Sequence, residues 1–140
     1  MKILKKLSFA VVTLLLLFSF TAPDDHVGKW KGQDKRDIGY LTLTSDGYAV
    51  FEFNGQTLGG KSYDHNGTKA AMKYTINSGT SPKAIDFMII DNGSKRELGR
   101  LKGIIKMKSR DEMQMALRFG GTAGRPTDFS EDAIVFRRVK

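Results

Sequence analysis

The chain has 140 residues, no cysteine, and 23 Lys and Arg against 15 Asp and Glu, a formal charge of +8. Without cysteine it can have no disulfide framework, no thiol chemistry and no lipid anchor on cysteine, and its length suits a single domain. The positive charge is dispersed: even in the most basic stretch, 95–118, Glu97, Asp111 and Glu112 interrupt the cations, which points to a solvated face and away from a nucleic-acid partner.

Residues 1–22 are expected to be a signal peptide. Lys2, Lys5 and Lys6 precede an apolar run from Phe9 to Phe20, and a Thr21-Ala22-Pro23 junction follows. The run is shorter than the ~18 to 20 apolar residues that cross a bilayer, so cleavage is expected rather than retention as an anchor. The mature domain, residues 23–140, would then be periplasmic or secreted, without a membrane span, and would carry a charge of +5.

From Val27 onward the chain reads as short strands between tight turns. Candidate strands are Val27 to Gln33, Tyr40 to Thr44, Tyr48 to Phe53, Lys69 to Ile76, Ala84 to Ile90, Leu98 to Met107, Met113 to Phe119 and Ala133 to Val139, all rich in β-branched and aromatic residues. Asn54-Gly55, Asn66-Gly67 and Asn92-Gly93 are dipeptides that accept the left-handed backbone of hairpin turns, and Ser45-Asp46-Gly47 and Ser78-Gly79 add two further turns. Only the acidic stretch after Pro126, Thr127 to Asp132, suits a short turn of helix.

Alternation assigns the faces. Ala70, Met72, Tyr74 and Ile76 share one side of their strand, and Met113, Met115, Leu117 and Phe119 share one side of theirs. One apolar face and one wet face, with hairpin connections throughout, predict an all-β antiparallel up-and-down meander. About eight such strands hide their edges best by closing into a barrel. Gly103, inside the longest strand, is expected at a bulge or barrel corner.

The two ends of this meander carry a resemblance. Gly28-Lys29-Trp30 resembles the glycine-x-tryptophan opening of lipocalin-like domains, and Phe136-Arg137-Arg138-Val139 is similar to their arginine-bearing last strand. Pro82 to Phe87, the glycine-containing strand near Leu101 to Ile105, and Arg125-Pro126-Thr127-Asp128-Phe129 further resemble a lipocalin-like family of exported bacterial proteins of unknown function. The resemblance implies a closed barrel end where Arg138, or failing that Arg137, packs over Trp30. That family's cysteine before the Arg-Pro-Thr segment is replaced here by Met115-Ala116-Leu117, so what carries over is fold, not activity.

Chemistry-bearing motifs are sparse. Gly55 to Ser62 fits the phosphate-binding P-loop pattern, but Asn66-Gly67 follows too soon for the helix such a loop requires, so a hairpin connection or edge strand is expected, with Lys61 in solvent. His26 and His65 lack any neighbour at metal-ligand spacing, and neither a metal nor another cofactor is expected. Glu52 and Asp86 are the only acids inside strongly apolar strands and would be the pair to use if the protein were a hydrolase. Arg125 and Asp128 are expected to fix the loop that carries them.

These residues leave three functional readings. The methionine-rich face, Met72, Tyr74, Met113, Met115 and Leu117, either lines a cavity for a small apolar ligand or simply fills the barrel. An envelope protein could instead dock on the glycine-rich loops, 120–124 and 55–62. The third reading is catalysis by Glu52 and Asp86. A non-catalytic ligand-binding module is the expectation carried forward.

Overall fold

A computed structural model of the chain describes residues 25–33, 38–118, 124–131 and 133–140. The expected signal peptide and residues 119–123 of the glycine-rich loop lie outside this set.

Ten strands form one antiparallel sheet: β1 (Gly28–Gly32), β2 (Ile38–Leu43), β3 (Ala49–Phe53), β4 (Gln56–Gly59), β5 (Tyr63–His65), β6 (Thr68–Asn77), β7 (Lys83–Asp91), β8 (Glu97–Met107), β9 (Glu112–Arg118) and β10 (Ala133–Arg138). Neighbours in sequence pair in space except β4 and β5, which lie at the two ends of the sheet, and β1 joins β10, so the order runs β4-β3-β2-β1-β10-β9-β8-β7-β6-β5. This is ten strands rather than about eight. The two additional ones, β4 and β5, are the shortest; β4 falls in the segment expected to be a hairpin connection or edge strand, and β5 follows just after it.

The sheet curls until its two ends nearly meet. Across the seam Tyr48 bridges Lys73, Met72 N donates to Gly60 O (2.9 Å), and Tyr74 N donates to Gly47 O (3.0 Å). β6 is thereby held against the β3–β4 hairpin, and the sheet forms a nearly closed barrel. Inward residues of every wall pack into one cluster that includes Trp30, Leu41, Phe51, Tyr74, Phe87, Met115 and Phe136. Burying that much apolar surface, at roughly 25 cal/mol per Å², is the main term holding a chain that has no disulfide.

Turn chemistry decides where the strands stop. Asn54 and Gly55 both have positive φ (44° and 78°), as do Asn66 and Gly67 (51° and 86°), the backbone a two-residue hairpin needs. Asn92-Gly93 behaves differently. Its loop is organised by Asp91, whose Oδ1 accepts from the amides of Gly93 and Ser94, and the left-handed residue is Lys95 (φ 64°).

Two other expectations are corrected. Register runs unbroken through Gly103, and the irregularity lies between Ile89 and Ile90 of the neighbouring strand. Gly103 instead makes room: a Cβ there would come within 2.5 Å of Leu117 Cδ2 and 2.6 Å of Ala116 O. Residues 127–131 form bends rather than a helical turn. There Asp128 accepts from the amide of Ser130 (3.1 Å), a local bond that competes with helix.

Candidate functional site

One end of the barrel is shut by Trp30 and Arg138, which are paired across β1 and β10. The Arg138 guanidinium lies 4.3 Å from the Trp30 ring centroid. It also donates to the carbonyls of Val27 (2.7 Å), Asp25 (2.6 Å) and Arg110 (2.9 and 3.0 Å). The indole N–H donates to His26 O (2.9 Å), and Trp30 is fully buried. Gly28 belongs to the same arrangement: its φ is +142°, and a Cβ would stand 2.6 Å from Arg138 Nη1. The glycine-x-tryptophan spacing therefore leaves the guanidinium its space and supplies the ring it covers. Arg137, one residue away, faces outward and pairs with Glu112 (3.1 Å).

All five residues of the methionine-rich face are buried in the common core. Tyr74 sits towards the closed end, where its hydroxyl donates to Thr44 O (2.7 Å) and meets His26 Nε2 (3.1 Å). Met113, Met115 and Leu117 line the β9 wall, with Leu117 lying over Gly103. The sequence reading missed the aromatic half of this interior: Phe51 and Phe87 meet edge to face at 4.9 Å, and Phe136 is fully buried. The same alternation that picked out the methionines puts these rings on the inward face.

Towards the other end, Phe53, Tyr63, Ile89 and Leu101 pack on the core while remaining partly exposed, and they form the apolar mouth. Tyr63 is the unusual member. Its hydroxyl oxygen is buried and has no hydrogen-bond partner. Burial without a partner pushes the phenol above its ordinary range. Nothing in the sequence marked it, because its strand, β5, is only three residues long.

Glu52 and Asp86 lie on β3 and β7, which are not neighbours in the sheet, and each meets cations of its own. Each follows a phenylalanine or precedes one that points inward, so alternation turns both carboxylates out of the wall. Glu52 meets Lys29 Nζ (3.5 Å). Asp86 is clamped by Arg125 Nη1 (2.6 Å) and Arg100 Nη1 (2.9 Å). Burial raises the Asp86 carboxyl, but the bonds from Arg125 and then Arg100 outweigh it and hold the group below the usual carboxylate range. An acid held in its ionised form by two cations is placed to anchor them.

Arg125 pairs with Asp86 rather than with neighbouring Asp128. The same Nη1 donates to Gly103 O (2.9 Å) and Ile85 O (3.4 Å), which fastens residues 124–131 across the outside of β7 and β8. There the outward-facing Ile104 and Ala116 are buried (2% and 0% exposed), although neither points into the barrel. Pro126 is buried with them. The segment is a strap over the outer wall, and the ion pair secures its start. Asp128 has turned to Ser130 instead.

In the segment with the P-loop pattern, Gln56–Gly59 is the edge strand β4 and no helix follows. Lys61 is largely exposed and pairs with Asp46 (3.2 Å). Among the described residues no group of three or more His, Cys, Asp or Glu is placed to hold a metal, and no helix is long and apolar enough to cross a membrane. No family model matches the chain, and searches of curated proteins and of solved structures return no match.

Proposed function

We propose that this is an exported, lipocalin-like, non-catalytic module that binds a small, largely apolar ligand at the mouth of its barrel. The observation carrying this reading is the Tyr63 hydroxyl, buried with no partner at the end of the barrel where Phe53, Ile89 and Leu101 are partly exposed. A buried, unpaired hydroxyl costs about 1 to 3 kcal/mol and is retained where something other than the protein satisfies it. The ligand that fits has an apolar body to lie against the mouth and the inward Met72 beyond it, and one hydrogen-bond acceptor, such as a carboxyl or ester oxygen, to meet Tyr63. The closed end behind Trp30 and Arg138 favours access from the mouth alone.

The test is Tyr63→Phe, which removes the oxygen and keeps the ring. Binding of a medium-chain fatty acid, followed by displacement of a fluorescent apolar probe, should weaken about tenfold, while the unliganded protein gains up to ~1 kcal/mol in denaturant unfolding. An unchanged displacement curve would dismiss the assigned site. Mass spectrometry of material retained from the native host should find an amphiphile, and its absence would count against the whole reading.

A further inference from the structure

The geometry points to a second binding site, outside the barrel, for an anionic saccharide. A cleft of 640 Å³ opens at the rim of the closed end, where the strap approaches the β6–β7 turn and the end of β8. That volume is in the range of small-ligand sites, roughly 300 to 1,000 Å³. It lies apart from the mouth, towards the end closed by Trp30.

Three features of the lining specify the ligand. The first is charge. Lys83 and Lys106 both border the cleft, and neither has a carboxylate partner among the described residues. By contrast Lys29, Lys61, Arg100, Arg125, Arg137 and Arg138 all do. The rim also carries one acid, Asp128, which accepts two bonds from Ser130 on one oxygen, so two ammonium groups face a single carboxylate there.

The second feature is hydroxyl supply. Thr80 is committed, donating to Asn77 O and accepting from the Ala84 amide. Ser78, Ser81 and Thr127 border the same space with no hydrogen bond inside the described protein. They can each donate and accept, the complement a polyol needs. The third is a partly exposed ring, Phe129, offering a flat apolar face beside these groups. Uncommitted hydroxyls, an aromatic face and two unpaired cations together match a sugar ring bearing a carboxylate, in an open cleft that a longer chain can cross.

Calorimetric titration of the purified protein tests this with three probes: a hexuronic acid trimer, a neutral hexose trimer and inorganic phosphate. The acidic trimer should bind at least about tenfold more tightly than either of the others. The double variant Lys83→Gln/Lys106→Gln, whose sites are exposed and should leave the fold intact by circular dichroism, should remove most of that preference. Phe129→Ala should weaken both sugars, and Tyr63→Phe should leave all three titrations unchanged, separating this site from the mouth. Equal binding of the two sugars, phosphate binding as tight as the acidic trimer, or no binding below about 10 mM would each overturn the assignment.

Discussion

Arg138 ties the two ends of the barrel domain together through one guanidinium. It combines a cation–π contact with bonds to three carbonyls from two separate segments, the 25–27 stretch and the β8–β9 turn, at 22% side-chain exposure. Arg138→Ala is expected to cost about 2 to 4 kcal/mol in urea unfolding, and Arg138→Lys to recover less than half, since an ammonium cannot span the same carbonyls while stacking. Asp86 makes a pH-dependent contribution. Its folded carboxyl titrates below the unfolded value, so its stabilisation is present above about pH 4 and is lost as pH falls through the folded pKa. Asp86→Asn should lower stability at pH 7 and flatten the decline on the acid side. An acid limb as steep as that of the wild type would show that other carboxylates carry it. Side-chain partners of this kind were the least legible part of the sequence. Arg125 has an acid three residues away and chooses one 39 residues earlier, because only the folded wall brings Asp86 beneath it.

At the scale of strands, the long elements were legible because each combines β-branched or aromatic residues with a period of two, bounded by glycine and asparagine. The register of β1 against β10 places Trp30 opposite Arg138, a pairing suggested by the ends of the chain rather than by periodicity. β5 escaped detection, and β4 read only as a hairpin connection or edge strand, for a physical reason. Gln56, Thr57, Gly59 and Asp64 supply little apolar alternation, and these strands are held by backbone pairing to β3 and β6 at the ends of the sheet. Amides of β4 and β5 should therefore exchange with solvent deuterium well before those of β8 and β9, each of which is paired on both sides. Comparable protection in all four strands would mean that the seam is tighter than its few bonds suggest. The outer strap was equally hidden: Ile104 and Ala116 read as ordinary wall positions until the segment that covers them is seen.

The whole molecule separates its surfaces. The mouth and the cleft share no lining residue, although Ile105 of the interior also borders the cleft, so the two binding proposals can be tested separately. Barrel closure and the shared interior followed from alternation and from the need to hide strand edges; the orphan hydroxyl at the mouth and the charged cleft outside depend on neighbours distant in sequence. The pairing of β1 with β10 brings the two ends of the barrel domain together, with Val139 N donating to Lys29 O (2.8 Å) and Arg138 holding the carbonyls of Asp25 and Val27. Both therefore leave from the closed floor. A tether attached at Lys140, or ahead of Asp25, pulls on that floor and presents the opening to the far side, so the protein can be immobilised by either end with its mouth still facing solution.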